Sequence, residues 1–187
     1  MGAEDRVRRM REAEMEQTPA GLRPKGEGWF VVNVADAAGV RDPGAGTFTR
    51  FEDREALPFE DFGINVHHLP PGEPSTLYHL EPVQEAFLVL DGELIAIIEG
   101  EERPLRRWDF VHCPKGVAHA FVGAGEHGGV LLAVGSRRLD MATYPRDEVA
   151  AQHGASAVET TDDGGEAYAR AGWQDEPMVP APMPWPS

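Results

Sequence analysis

The residues with the most chemical potential fall in two short segments. The first reads Tyr78-His79-Leu80-Glu81-Pro82-Val83-Gln84-Glu85, and the second reads His112-Cys113-Pro114-Lys115-Gly116-Val117-Ala118-His119. Imidazoles and carboxylates are the side chains that most readily hold divalent cations and move protons. Residues two apart on a strand project from one face, so His79 and Glu81 point together. Glu85 shares its face with Phe87 and Val89, which places a carboxylate on an apolar, inward surface. A carboxylate there is costly unless it meets a cation or a hydrogen-bond donor. The Pro114-x-Gly116 turn aims His119 into the next strand, where Val117 and Phe121 share its face.

Other polar residues carry less weight. His67 and His68 are adjacent, so one of them faces inward, in a rim or core role. His112 and Cys113 also take opposite faces, with Cys113 read as a small buried hydrophobe. Tyr78 and Gln84 are candidates for the mouth of a site, and Trp108 for packing. Arg103, Arg106 and Arg107 read as surface charges, and His127 and His153 lie in turn or helix-end contexts. No serine stands in a G-x-S-x-G elbow, and there is no Walker or dinucleotide glycine pattern.

The elements that must position these groups are mostly short strands. Residues 1–28 read as an arm, with a charged helix over Glu4 to Glu16 whose weak apolar face is Val7, Met10 and Met15. From 29 to 136, runs of Val, Ile, Phe, Leu and Thr are punctuated by Gly and Pro. Strands are predicted over Trp29–Val34, Thr47–Phe51, Phe62–Leu69, Thr76–His79, Glu85–Leu90, Glu93–Glu99, Asp109–Cys113, Ala118–Val122 and Val130–Val134. Asp91-Gly92 and Glu99-Gly100 are predicted tight hairpin turns, because glycine accepts positive φ. Runs apolar on both faces, such as Leu94 to Ile98, suit strands covered outside as well as inside. Helix signals return over 137–187, from Pro145 to His153 closed by Gly154, and from Asp162 to Ala171 closed by Gly172. The tail from Pro177 carries five prolines. It is predicted to be extended and to lie across a subunit surface.

The two segments resemble the paired motifs of the cupin superfamily. The first motif is matched by His79, Glu81, Glu85 and Gly92, and the second by Pro114, Gly116 and His119, with Trp108 at its glycine position. The resemblance spans residues 62 to 135 and implies an all-β fold, a double-stranded β-helix or jelly-roll barrel. It also implies one divalent metal, with His79, Glu81, Glu85 and His119 as its ligands. Glu81 departs from the pattern, since the family usually has histidine there. It is read as a fourth ligand, as an acid or base beside the metal, or as a rim group. Two imidazoles with two carboxylates suit Fe, Mn, Ni or Zn without deciding among them. Glu81 and Tyr78 are the candidate catalytic proton carriers.

Bulk properties bound the rest. The chain has 187 residues, enough for one well-buried domain with extra arms. Its 32 acidic and 17 basic side chains give a net charge of −15, which disfavours nucleic acid and anionic lipid as partners. A single cysteine rules out an intramolecular disulfide, and the charged N-terminus has no apolar signal-peptide core, so a cytoplasmic location is expected. The expected function is a metal-dependent enzyme of dioxygenase or isomerase type acting on a small polar molecule in the barrel. The alternative is a non-catalytic small-molecule or sugar-binding cupin with a degenerate metal site. A homodimer is expected in either case.

Overall fold

The computed structural model describes residues 10–42, 44–52, 58–138, 141–173 and 178–185. Strands β1 (Glu14–Thr18) and β2 (Gly21–Lys25) form a separate hairpin. The second sheet contains β3 (Ala38–Asp42), β4 (Gly46–Thr49), β5 (Phe62–Leu69), β6 (Glu85–Ile98), β7 (Glu101–Arg106), β8 (Phe110–Cys113), β9 (His119–Ser136) and β10 (Val179–Pro182). Its order is β10-β3-β4-β5-β9-β6-β7, with β8 also paired to β6. The helices α1 (Glu148–Gln152) and α2 (Gly164–Arg170) follow the barrel.

β6 joins the two halves of this sheet through β9. Its first half pairs with β8 and the C-terminal half of β9, and its second half pairs with β7 and the N-terminal half of β9. The expected hairpin at Asp91-Gly92 is instead an irregularity inside one continuous strand, with register shifts between Val89 and Asp91 and between Gly92 and Glu93. The glycine does take positive φ, 72°. That conformation serves a bulge as well as a turn. The bulge also shifts the strand's phase: Phe87 and Val89 face the core before it, and Leu94 and Ala96 after it. Glu99-Gly100 does turn the chain, pairing Ile98 with Glu101, with φ of 50° and 74°.

The core has an inner and an outer layer. Leu69, Phe87, Val89, Leu94, Ala96, Cys113, Phe121 and Leu131 pack inside the barrel. Ile97, Ala120 and Val122 point the other way and pack with Ala150 of α1 and with Ala155. This explains why the second half of β6 is apolar on both faces. Both predicted helices form and end shortly before the positive-φ glycines Gly154 and Gly172, but they begin later than Pro145 and Asp162, on N-caps Asp147 and Asp163.

Several expectations are corrected. Residues 14–16, the end of the predicted arm helix, belong to β1, because ladder pairing with β2 overrides a weak helical face; residues 4–9 lie outside the described residues. Trp29–Val34 makes only a single bridge, Trp29 with Glu12, and leaves Trp29 and Val31 exposed. Strand propensity without a ladder partner makes no strand. The charged run Glu101–Arg106 was not read as a strand and is one, at the sheet edge. The tail is extended but lies on its own barrel, paired with β3. Pro180 and Pro182 suit an edge strand because they lack an N–H to donate outward.

A Cβ at Gly92 would lie 2.1 Å from the Gly128 carbonyl oxygen, whereas Gly116, at φ 80°, has nothing within 4 Å. Gly92→Ala is therefore expected to cost ~3 kcal/mol or more, and Gly116→Ala ~1 kcal/mol. Urea denaturation of both variants checks this, and equal costs would contradict the close packing of the bulge.

Candidate metal centre

His79 and His119 are joined by two backbone hydrogen bonds, of 3.1 and 2.8 Å, across an isolated antiparallel bridge. The segment around His79 is not the predicted strand. It lies between Pro74 and Pro82, and its partner changes from β9 at His79 to Thr143 at Leu80. The bridge nevertheless sets the two imidazoles side by side, with ring centroids 4.9 Å apart. Each ring is then fixed the same way. Nδ1 of His79 donates to the Leu77 carbonyl at 2.7 Å, and Nδ1 of His119 donates to the Val117 carbonyl at 3.0 Å. This leaves each Nε2 as the ring nitrogen available at the site, the tautomer that backbone carbonyls commonly impose on metal-binding histidines.

Glu85 opens β6 and is brought to the histidines by pairing with Cys113 and Gly135. Its Oε2 lies 3.2 Å from His119 Nε2. Ligand atoms of His79, Glu85 and His119 all fall within 4.8 Å of one another. Two imidazole nitrogens and one carboxylate at this spacing fit a divalent metal of the first transition row. Burial works against charge on His119, but hydrogen bonds with Cys113 and Glu85 raise its pKa to about 10. Burial, together with the neighbouring His119, lowers that of His79 to about 4. Burial alone would push Glu85 up, yet the His119 hydrogen bond and the charges of both histidines hold it below the usual carboxylate range.

The three residues line a cavity of about 720 Å³, within the range of small-molecule sites. Its apolar wall includes Phe48, Phe87, Phe121 and Leu131, and its polar wall includes Asn65, His67, Ser75 and Thr76. Glu81 lines this cavity and also an adjoining surface depression with Lys115 and Asp162. It is not among the three converging residues. Tyr78, the other proton-carrier candidate, faces away from the cavity. As the neighbour of His79 it takes the opposite side, packs with Ile97 and Ala150, and accepts a hydrogen bond from the Gly100 N–H. Trp108 does not pack into the core. It is exposed at a positive φ of 76°, which its motif's usual glycine would adopt without strain, and the Arg107 guanidinium lies over its ring.

Sequence reasoning missed the cavity wall contributed from outside the motifs. Arg50 and Phe48 come from the β4 region, and Tyr168, Trp173 and Met178 from the C-terminal extension. The alternation Asn65, His67 on β5 was a usable signal for the polar wall. Tyr168 and Trp173 had none, because their place depends on how α2 packs over the barrel.

Burial lowers the pKa of His67 from 6.5 to about 4. Between those values the unfolded chain binds a proton that the folded chain does not, so His67 makes stability rise with pH in that window. His67→Phe is expected to flatten the loss of stability on acidification from pH 6.5 toward 4, measured by denaturant titration at several pH values. Identical slopes would show that His67 is not held neutral by burial.

Comparison with known proteins supports the fold. Residues 65–135 match the family model described as a cupin domain. A structure assigned as a sugar phosphate isomerase from Acidithiobacillus ferrooxidans is 32% identical over 54% of this chain and 65% of its own, with a TM-score of 0.46. The chain thus spans just under two thirds of that relative. The polyketide cyclase RemF from Streptomyces resistomycificus is 20% identical over 60% of this chain and 82% of its own, with a TM-score of 0.51. A predicted oxalate decarboxylase from Thermotoga maritima is 22% identical over 57% of this chain and 97% of its own, with a TM-score of 0.50. The last two likenesses show the fold alone. Comparison with curated proteins returned no match. No helix among the described residues is long and apolar enough to cross a membrane. With both motifs, the antiparallel barrel and the family match in agreement, residues 65–135 form a cupin domain.

Proposed function

We propose that this chain binds one divalent metal through His79, Glu85 and His119 and is a metal-dependent enzyme acting on a small polar molecule held in the barrel. The observation that carries this reading is the convergence of three ligand atoms within 4.8 Å on the wall of a cavity of about 720 Å³. When bound, the metal would supply Lewis acidity or activation of oxygen, the chemistries of isomerase and dioxygenase types. The chain's own residues do the rest. The carbonyls of Leu77 and Val117 hold both imidazoles in one orientation. Phe87 and Phe121 pack against the His119 ring and exclude water from that side. Glu81, which lines both the cavity and the outer depression, is placed to pass a proton between ligand and solvent. This assigns it an acid–base role instead of a ligand's.

The reading is tested by metal analysis of protein purified without an affinity tag, followed by titration with Fe(II), Mn(II), Ni(II) and Zn(II). One metal per chain is expected. His119→Ala and Glu85→Gln should each weaken binding by more than the roughly 10–100-fold that follows loss of an outer-shell partner. Glu81→Gln should leave metal affinity unchanged. A wild type that ignores all four metals would sink the proposal, and loss of metal in Glu81→Gln would make Glu81 a ligand. A small molecule that raises the melting temperature of the metal-loaded protein yet is recovered unchanged would make the chain a binding protein.

A further inference from the structure

β5 holds His67 in the cavity wall. The ring is 9% exposed and stacks on Phe48 at 5.5 Å, and its Nδ1 is buried with no hydrogen bond among the described residues. A buried, unmatched polar atom lowers stability, and a native structure that keeps one calls for a reason. A phenylalanine ring would fill the same space, against Phe48 and near Leu131, without that loss.

Strand register locates His67 relative to the metal centre. It pairs with Leu131, which pairs with Val89, whereas Glu85 pairs with Gly135, which pairs with Gly63. His67 therefore stands four residues along β5 from the row of Glu85, ~13 Å along the strands at ~3.3 Å per residue. The same cavity connects them, with Phe48, Phe87 and Leu131 in its wall. Polar groups at separated points, with Asn65 between them on β5 and hydrocarbon from Phe48, Phe87 and Leu131 beside it, call for an elongated ligand rather than a one- or two-carbon acid.

We propose that His67 is the second anchor of the ligand, hydrogen-bonding an uncharged hydroxyl or carbonyl on a molecule whose other polar group sits at His79, Glu85 and His119. The proposal rests on the metal-centre reading and adds a ligand class to it: a skeleton of several carbons with a metal-seeking group at one end and a neutral polar group at the other. An imidazole kept neutral offers one donor and one acceptor, so it serves either kind of neutral partner.

The test compares zinc-loaded wild type, His67→Phe and His67→Asn by calorimetric titration. The titrants are ω-hydroxy carboxylates of roughly five to eight carbons, a span matched to the strand rise, and the parent acids without the hydroxyl. In the wild type at least one hydroxy acid should bind about five- to tenfold more tightly than its parent. His67→Phe should abolish that preference while keeping zinc affinity, and His67→Asn should retain part of it. An undiminished preference in His67→Phe, or none in the wild type at any length, overturns the proposal. A melting temperature of zinc-free His67→Phe at or above wild type shows that the variant is folded. Failure of zinc to bind would refute the metal centre alone, and the same comparison on zinc-free protein then decides the role of His67.

Discussion

One strand must turn apolar residues inward in both halves of this barrel, and the bulge at Leu90 to Gly92 makes that possible. Without it, the alternation that buries Phe87 and Val89 would carry on to Glu93 and Ile95, bringing the Glu93 carboxylate into the interior and turning Leu94 and Ala96 to the outer layer. The phase change keeps one apolar interior across both faces. It also leaves Glu85, at the start of β6, on the inward side with Phe87. The placement of the carboxylate is thus a consequence of the same register that builds the core.

The candidate metal centre depends on backbone more than on side-chain packing. Two hydrogen bonds join His79 to His119, and each ring is tied to the carbonyl two residues before it. The arrangement is locally repeated on both segments, so neither histidine needs a separate supporting side chain to fix its tautomer. Glu85 then completes the donor set, its Oε2 3.2 Å from His119 Nε2.

The barrel and the centre of the site were legible in the sequence, and the edges were not. Glu85 and His119 followed from strand alternation and motif spacing, and His79 from motif spacing alone, which are local properties. Phe62–Leu69 and both helices were readable for the same reason, being bounded by turn and cap residues. Asp91-Gly92 was misread because positive φ at glycine does not distinguish a turn from a bulge; the difference lies in the partner strand. The edge strand Glu101–Arg106 was missed because its charges suit an exposed edge and give no hydrophobic alternation. Tyr78 was misassigned because its facing is set by the His79–His119 bridge. Tyr168, Trp173 and Met178 reach the cavity only through tertiary packing.

β10 ties two otherwise separate properties together. Its prolines close one edge of the sheet, Met183 is buried beneath it, and Trp185 meets His68 edge-on. Met178, in the cavity wall, immediately precedes it. The segment that covers the outer edge of β3 thus also adjoins the wall of the cavity. Cover of the sheet edge and the shape of the cavity wall share one short stretch of chain, so a change that loosens its grip on β3 is expected to act on both at once.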